Sequence, residues 1–537
     1  MKLLLKNGKI YQQRNLFTDA LFIENGFIVS EGKDALLRES LLDTSEIIDL
    51  EGKTVLPGFN DAHLHFYQSG VALSTVNLYG SDSMEEVIRR GKAFLHSHPE
   101  PMKILSGRGF NQDYFNERRL PTRLDLDRIT NTIPIIFTRT CSHMAVVNSA
   151  ALEKLNFPHP LPVIEGGQID TDSSGIPNGI FRENAIRLLD CLYEEETIES
   201  ALKHIRAAAK KALSYGLTSL QVNDIWLGNQ EAQVVEEAYR RFTNEDQSIR
   251  IYHQVYAKDI ETFEERLKDG FNRNESPFLK YGLLKMFADG SLGARTAFLR
   301  EPYADDPTTR GMPTMTVESL ESLISAAEEN GIQTAIHVIG DGALERVLNA
   351  YEKVIDTDNK NRHGLIHVQI TDHELLQRIR KLNLVVYAQP IFLHNDLHIV
   401  RDRVGEALAS TSYAFGTMEK LGIKVAYSTD APIENFHVME NLHCAINRQD
   451  LSLFPAEGSY MEEAVDRTTA LDNITVNSAC MSFEENIKGR LLPGYYADLV
   501  VLKDPYFDVD RSSIKDIKVD KTIIDGKICY DSSIDGD

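Results

Sequence analysis

Eight short apolar segments alternate with longer helical patterns through the middle of the chain, and this rhythm constrains the fold more than any other feature. Such alternation is typical of βα units around a parallel sheet. It predicts an α/β protein with a (β/α)8 TIM barrel, whose active site would lie at the carboxyl ends of the strands. The strand candidates are residues 59–65, 217–222, 251–256, 283–287, 333–338, 365–369, 384–388 and 424–428.

The two ends of the chain differ from this middle. Both consist of short strands and turns, and each contains a strong hairpin dipeptide, Asn25-Gly26 or Asp525-Gly526. We expect one small β-sandwich domain from residues 1–57 and 485–537, and a catalytic barrel from residues 58–69 and 205–484. The first two strand candidates are too far apart for one βα unit. Residues 70–204 are therefore predicted to be an insert that caps the active face.

Composition argues against several classes of protein. A net charge of −23 implies no basic surface for nucleic acid or for an anionic membrane. Five widely spaced cysteines support neither a disulfide framework nor a thiolate zinc cluster. The apolar run at the start is too short for a signal peptide, and no segment reaches a membrane-spanning length. We expect a cytoplasmic protein with a small-molecule partner; the sequence leaves a homo-oligomer such as a dimer open.

The first candidate metal ligands are His63 and His65, which lie shortly after a Pro-Gly breaker. On a strand, the period of two sends both imidazoles and the Asp61 carboxylate to one face. The spacing alone is a weak signal, because His96 and His98 repeat it after a helical run. Residues two apart on a helix do not face each other, so we expect this second pair to be exposed.

Comparable residues recur at the ends of later strand candidates. Lys285 lies in the fourth, His337 ends the fifth, His367 lies in the sixth, and Asp430 follows the eighth. Each has an ordinary alternative, such as a hydrogen-bonded core histidine, an ion pair or a helix cap. Their coincidence with the histidine pair at equivalent strand positions favours a site for Zn²⁺ or a similar divalent ion.

Other catalytic signatures are weaker. The chain has no P-loop and no His-Glu-x-x-His motif, and no Gly-x-Gly-x-x-Gly follows a strand candidate. Residues 289–293 resemble a nucleophile elbow, but Asp289 stands where that motif requires glycine. His394 and His398 have the helical spacing of a metal pair without the metalloprotease glutamate.

The chain resembles the amidohydrolase superfamily, and specifically its YtcJ-like branch, amidohydrolase family 3, which includes N-substituted formamide deformylases. The resemblance covers nearly the whole sequence. Its motifs are residues 57–65, 143–152, 285–297, 337–341, 428–432 and 493–502.

This resemblance implies a site for one or two divalent metal ions, with Zn²⁺ the expected ion. CO₂ would carboxylate Lys285, and this would convert a cation into an oxygen ligand that bridges the two ions. A metal-activated hydroxide would attack an amide carbonyl, and Asp430 would act as base and pass the proton to the leaving nitrogen. The implied ligands are His63, His65 and Asp430 for one ion, His337 and His367 for a second, and Lys285 as the bridge.

One position departs from the pattern of the branch. Members usually carry a glutamate directly before the sixth-strand histidine, where this chain has Ile366. Strand alternation would point Ile366 away from His367, toward the surrounding helices. The departure implies a changed supporting contact with the ligand retained.

Four polar residues are candidates for substrate binding. Arg139 and His143 lie in the insert, and Asp289 and Arg295 follow the fourth strand. They could orient the acyl or amine group of a substrate. For each of them, a structural ion pair or hydrogen bond is the alternative.

The resemblance therefore implies a metal-dependent hydrolase of a carbon–nitrogen bond other than a peptide bond, such as a linear amide or an N-substituted formamide. Two alternatives stay open. The same barrel could hydrolyse esters or lactones, or isomerise a substrate with metal assistance. A non-catalytic regulatory protein could also retain the barrel, although the intact ligand set argues against it.

Overall fold

The computed structural model describes residues 1–43, 46–98, 102–139, 144–158, 160–164, 166–193, 195–229, 231–268, 270–271 and 273–536. The chain divides into two units, one of Met1–Gln68 with Ala201–Asp537 and one of Ser69–Ser200. Among the described helices, none combines the length and apolarity that crossing a bilayer requires. The three-domain division expected from the sequence stays a prediction.

Eight parallel strands form the central sheet of the larger unit and confirm the predicted barrel. Each strand pairs with the next one along the chain. The sheet nearly closes, because Asp430 N donates to His63 O (2.9 Å) and His65 N donates to Ala431 O (2.7 Å). The first to eighth barrel strands are Phe59–Leu64, Leu217–Trp226, Arg250–Tyr256, Leu279–Phe287, Gln333–Val338, Gly364–His367, Val385–Ala388 and Val425–Tyr427. A short strand, Asn274–Ser276, pairs antiparallel with the fourth.

Helices follow the barrel strands along the chain and bury one apolar side. In Val317–Glu329, for example, the buried residues Leu320, Leu323, Ile324 and Ala327 have the spacing of one helix face. The hydroxyl of Thr316 caps this helix by accepting from Ser319 N. The helices near the barrel are Phe66–Leu73, Ile198–Ser214, Glu231–Glu245, Ile260–Lys268, Val317–Glu329, Asp341–Val354, His373–Lys381, Leu393–Asp396, Val400–Ala409, Phe415–Lys420, Val438–Asn447, Arg467–Ile474 and Val476–Met481.

Two further sheets of the larger unit use strands from both chain ends. Their side chains share one hydrophobic cluster, which contains Leu5 and Val55 with Leu499 and Ile523. One sheet has the order Phe27–Glu31, Leu21–Glu24, Lys2–Lys6, Ile47–Asp49. The other has the order Lys527–Asp531, Val519–Ile524, Leu499–Leu502, Thr54–Pro57, Lys9–Gln13, Leu16–Thr18. Short helices, Gly32–Leu36 and Ser532–Asp535, follow two of these strands.

Both predicted hairpins of these terminal sheets form. Asn25 and Gly26 have φ angles of 52° and 82°, and Asp525 and Gly526 have φ angles of 54° and 76°. Positive φ at both central residues is what a two-residue type I′ turn requires. These dipeptides therefore set the register of the two hairpins.

The described residues of the smaller unit form a six-stranded sheet and three helices. Asn148 connects them, because its Oδ1 accepts from Ala151 N (3.0 Å) in a helix and from Ile135 N (2.9 Å) in a strand. His96 and His98, at the end of another helix, are exposed as predicted. The sheet order is Gly167–Thr171, Pro177–Glu183, Met144–Val147, Ile135–Arg139, Leu105–Phe110, Val76–Asn77. The helices are Met84–Ser97, Arg123–Leu126 and Ser149–Leu155.

A group of charged side chains lies at the amino-terminal ends of the barrel strands, opposite the carboxyl ends. Glu484 accepts from Lys280 Nζ (2.5 Å), near the start of the fourth strand, and from Lys488 Nζ (2.5 Å). Lys488 also donates to the hydroxyl of Ser219 (2.8 Å) in the second strand. Because Glu484 and Lys488 are buried, each depends on the other for charge compensation.

We expect Glu484 to make the stability of the barrel acid-dependent. Burial raises the pKa of its carboxyl, but Lys488 and Lys280 outweigh burial and hold that pKa at about 2. Since the unfolded-state value is about 4.3, the stabilisation is complete above about pH 5 and is lost as the pH falls toward 2. Glu484→Gln should lower the free energy of unfolding by about 3 kcal/mol at neutral pH and flatten its acid dependence.

Urea unfolding at neutral and acidic pH measures this effect. The exposed Glu457→Gln is the matched control and should change neither the midpoint nor its pH dependence. If the free energy of unfolding of Glu484→Gln kept the wild-type acid dependence, the acid sensitivity would come from other carboxylates.

Candidate metal centre

The predicted metal ligands meet at the carboxyl ends of the barrel strands. His63, His65 and Asp430 place one nitrogen or oxygen atom each within 4.8 Å of one another. The Nε2 atoms of His63 and His65 lie 3.3 Å and 3.5 Å from Asp430 Oδ1. These distances bring together three candidate ligand atoms from the end of the first strand and from the loop after the eighth.

His337 and His367 form a second group beside the first. Nδ1 of His337 lies 2.9 Å from Nε2 of His367. The ring centroids of His367 and His63 are 6.3 Å apart, so the two groups are neighbours. The fifth and sixth strands thus add two imidazoles to the three predicted ligands already described.

Each of these four histidines is held through one ring nitrogen by an oxygen acceptor. Because an oxygen acceptor requires an N–H opposite it, that nitrogen carries the proton and the other ring nitrogen keeps its lone pair. Fixing the tautomer in this way is the usual arrangement of histidine ligands in metal sites. The pairs are His63 Nδ1 with Gln254 Oε1 (2.5 Å), His65 Nδ1 with Asn223 O (2.8 Å), His337 Nε2 with Gly290 O (3.0 Å) and His367 Nδ1 with Gln389 Oε1 (2.7 Å).

The contact between His337 and His367 tests whether these residues fit a metal ion. Both facing nitrogens carry lone pairs by the assignment above, and two lone pairs 2.9 Å apart repel. A cation that both can bind removes the repulsion. The pair therefore fits a divalent metal ion better than it fits a hydrogen bond between the rings.

Lys285 supplies a second test of fit. Its side chain is fully buried, and within the described part of the chain its ammonium nitrogen has no hydrogen-bond partner. Burial lowers the pKa of Lys285 to about 7, against the opposing effect of Asp430 and Asp289. A buried lysine without a partner is costly to hold as a cation, so the neutral amine, which CO₂ can carboxylate, is the form that suits this position.

The electrostatics of the histidines also suit metal ligation. Burial lowers the pKa of His63 to about 4 and that of His337 to about 3. It lowers the pKa of His367 well below its usual value, and His337 adds to the effect. His65 differs, because burial is outweighed by Asp430 and its pKa is raised. Neutral imidazoles are the ligating form, so three of the rings need lose no proton at neutral pH.

Asp61 positions the loop that carries Asp430. Its carboxylate accepts from the backbone N of His63 (3.2 Å), the backbone N of Thr429 (3.2 Å) and the hydroxyl of Thr429 (2.5 Å). Asp430 has a φ of 56°, in the left-handed region that residues other than glycine rarely adopt. The bonds to Thr429 hold the loop in this conformation and aim the Asp430 carboxylate at the histidines.

The predicted orientation of Ile366 was wrong. Ile366 is in register with His337 on the neighbouring strand, and it packs with Leu283 and Ala335. That cluster joins strands from opposite sides of the barrel, which meet only in the interior. Both Ile366 and His367 face inward because His367 has a φ of 78°, which ends the regular alternation. Ile366 therefore contributes apolar packing beside the ligand, away from the outer helices.

Asp289 connects the loops after the fourth and fifth strands. Its oxygens accept from the backbone N atoms of Phe298 (2.9 Å), Ile339 (3.0 Å) and Gly340 (2.8 Å). A Cβ at Gly340 would lie 2.1 Å from Phe298 O, so the close approach of these loops requires glycine there. These contacts position the chain just beyond His337, and a substrate contact by Asp289 stays a prediction.

The other predicted substrate contacts lie in three different settings. Arg295 forms an ion pair with Asp305 (2.8 Å) in the larger unit. Arg139 forms one with Asp113 (2.8 Å) in the smaller unit. His143 lies outside the described residues. For these residues, too, substrate binding stays a prediction.

Sequence reasoning missed the oxygen acceptors of the histidines. Gln254 lies within the third strand, and Gln389 directly follows the seventh. Gln254 Nε2 donates to Ala62 O (2.8 Å) and Gln389 Nε2 donates to Ser428 Oγ (2.7 Å), which turns each Oε1 toward its histidine. An uncharged amide within or directly after an apolar strand candidate was the available signal.

Comparisons with known proteins agree with this fold and give the family of the chain. The sequence profile of the amidohydrolase family matches residues 46–530. The chain therefore belongs to the amidohydrolase family and is a metal-dependent hydrolase by class.

Individual relatives extend over the whole chain. YtcJ of Bacillus subtilis (strain 168), which carries the name of an amidohydrolase, is 32% identical over 99% of this chain and 100% of its own length. N-substituted formamide deformylase of Arthrobacter pascens is 27% identical over 98% of this chain and 97% of its own. The crystal structure of an uncharacterized metal-dependent hydrolase from Pyrococcus horikoshii OT3 is similar with a TM-score of 0.77, at 29% identity over 95% of this chain and 99% of that one.

Proposed function

We propose that this protein hydrolyses a non-peptide carbon–nitrogen bond, in a linear amide or an N-substituted formamide, in the cytoplasm. The observation that carries the proposal is the opposed pair His337 and His367 beside the His63, His65 and Asp430 group. The similarity to an N-substituted formamide deformylase over nearly the full length of both chains supports the choice of bond. Small-molecule amides are the proposed partners, without nucleic acid or membrane.

The six residues have distinct proposed roles. His63, His65 and Asp430 would hold one divalent ion, with Zn²⁺ expected, and His337 and His367 a second. The neutral amine of Lys285 would attack CO₂, forming an N–C bond and releasing a proton, and the resulting carbamate oxygens would face both groups. When bound, the metal lowers the pKa of water and polarises the substrate carbonyl.

Asp430 would carry the proton through the reaction. Its Oδ1 lies closest to His63 and His65, and burial, which opposes ionisation, is outweighed by these two rings, so that its pKa is held well below the usual range. An ionised carboxylate can accept a proton from the attacking water and donate it to the leaving nitrogen. The tautomers fixed by Gln254 and Gln389 turn the lone pairs of His63 and His367 toward the proposed ligand site, where a bound ion would occupy them.

We expect His63→Ala to abolish turnover, because it removes one proposed ligand. The protein should stay folded, because the other residues of the first strand keep their packing. The exposed His96→Ala, from the other histidine pair with the same spacing, is the matched control and should retain full activity. Elemental analysis should find about two ions per wild-type chain, or one if Lys285 is unmodified. Full amidase activity in a metal-free preparation would refute the proposal.

A substrate panel separates the proposed reaction from its alternatives on the same barrel. One metal-loaded preparation would be assayed with amides, N-substituted formamides, esters and lactones. We expect the best kcat/KM on an amide or a formamide. A lactone preference of about a thousandfold, a difference of about 4 kcal/mol in transition-state binding, would reassign the reaction. Metal binding without turnover of any class would favour a regulatory protein.

A further inference from the structure

Three aromatic side chains form a continuous group at the carboxyl ends of the second, third and fourth barrel strands. They are Trp226, Tyr256 and Phe287, here called the aromatic edge. The ring centroids are 4.7 Å apart for Trp226 and Tyr256, 5.4 Å for Tyr256 and Phe287, and 5.6 Å for Trp226 and Phe287. The three rings therefore contact one another in a single cluster.

Strand alternation places this group above the proposed metal ligands. Tyr256 lies two residues after Gln254, which holds His63, and Phe287 lies two residues after Lys285. Residues two apart on a strand share a face. Tyr256 and Phe287 therefore face the interior one layer closer to the mouth of the barrel than Gln254 and Lys285.

The aromatic edge contacts the candidate metal centre directly at one end and is connected to it through a shared backbone carbonyl at the other. The ring of Phe287 lies 5.4 Å from that of His337, and Lys285 Nζ lies 4.1 Å from the Phe287 centroid. At the other end, Trp226 Nε1 donates to Asn223 O (3.3 Å), the carbonyl that also accepts from His65. The group thus extends from the ring of His337 to the carbonyl that holds His65.

The aromatic edge is not a closed part of the core. Trp226 is 40% exposed, and Tyr256 and Phe287 are partly exposed. The three rings pack against one another, but part of their apolar surface stays exposed at the mouth of the barrel. Apolar surface beside a reaction centre is typical of a subsite that a ligand covers.

We propose that the aromatic edge binds a flat aromatic ring carried by the substrate, and so selects amides with an aryl substituent. This inference rests on the proposed function. The occupant is a ring rather than a chain, because offset and edge-to-face contacts with aromatic side chains favour an aromatic partner beyond its buried area. The distance from Phe287 to His337 requires the ring to be attached close to the scissile bond.

Turnover of two matched substrates tests the selectivity. N-phenylformamide and N-cyclohexylformamide have rings of similar size, but only the first is flat and aromatic. The ratio of the two kcat/KM values is compared between wild type, Phe287→Leu and Trp226→Leu. A general effect of a substitution on the metal centre changes both kcat/KM values alike and cancels in this ratio. The aromatic preference should fall about three- to tenfold in each variant, mainly through KM. Phe483→Leu, an aromatic residue of similar exposure near Glu484, is the control and should keep the wild-type ratio.

Binding can be followed without any reaction, because Trp226 is the single tryptophan of the chain. Benzyl alcohol and cyclohexylmethanol have no hydrolysable bond. Benzyl alcohol should change the tryptophan fluorescence in a saturable way, and cyclohexylmethanol should bind several times more weakly. Phe287→Leu, which keeps the reporter, should weaken benzyl alcohol binding about three- to tenfold.

The two measurements separate this proposal from the proposed function. If amides are hydrolysed with the same ratio in wild type and both edge variants, the subsite is refuted and the function stands. If no amide is hydrolysed but benzyl alcohol binds and Phe287→Leu weakens it, the function is refuted and the aromatic subsite stands. Equal binding of the two alcohols in wild type would also refute the aromatic subsite.

Discussion

Asp430→Asn is expected to lower kcat/KM by about a thousandfold, which is the size of effect that loss of a general base usually produces. Asparagine keeps the shape of the side chain and one oxygen ligand, but it cannot accept the proton of the attacking water. The variant should therefore retain more of its metal content than of its activity. Elemental analysis and steady-state kinetics on the same preparation measure the two quantities separately.

The control for this substitution is Asp508→Asn, an exposed aspartate paired with Lys9 on the surface. It should keep wild-type activity and metal content. If Asp430→Asn retained turnover within about tenfold, the base would have to be another group. If metal and activity fell together, Asp430 would act as a ligand alone.

Lys285→Met is expected to have opposite effects on activity and on the stability of the metal-free protein. Methionine fills nearly the same volume but can neither be carboxylated nor ligate through oxygen, so activity should fall at least about a hundredfold. The same change removes a buried amine that has no hydrogen-bond partner among the described residues. Replacing such a group with an apolar side chain should raise the free energy of unfolding of the metal-free protein by about 1–4 kcal/mol.

Urea unfolding in the presence of a chelator, together with kcat/KM after metal loading, measures both effects. Lys360→Met, at an exposed lysine, is the control and should change neither. A Lys285→Met protein less stable than wild type without metal would mean that the lysine has a compensating partner. Retained activity would exclude the carbamate bridge.

The barrel could be predicted from sequence because its signal is periodic and repeated. Every strand candidate overlaps an observed strand, and the hairpins at Asn25-Gly26 and Asp525-Gly526 follow from residues that tolerate positive φ. The placement of His63 and His337 follows from the same regularity, since strand ends of a barrel meet at one edge. Local pattern and overall topology agree at these positions.

The remaining features depend on information that local pattern does not carry. The orientation of Ile366 was wrong because the φ of His367 departs from strand geometry, which no propensity at these residues indicates. Gln254 and Gln389 contact histidines from distant parts of the chain, so only the closed barrel shows their role. The backbone partners of Asp289 come from two loops that the sequence does not place together, so its role in connecting them could not be predicted.

The hydrogen bonds that close the barrel have a consequence for its folding. Asp430 N with His63 O and His65 N with Ala431 O join the first and last barrel strands, which are the most distant in sequence. Pairing these two strands closes a long loop and costs a large conformational entropy. We therefore expect these hydrogen bonds to form late in folding. An ion held by His63, His65 and Asp430 would bridge the same two strands through their side chains. Metal binding and barrel closure would then be thermodynamically linked. A change that strengthened metal binding would stabilise the closed barrel, and a change that stabilised the closed barrel would strengthen metal binding.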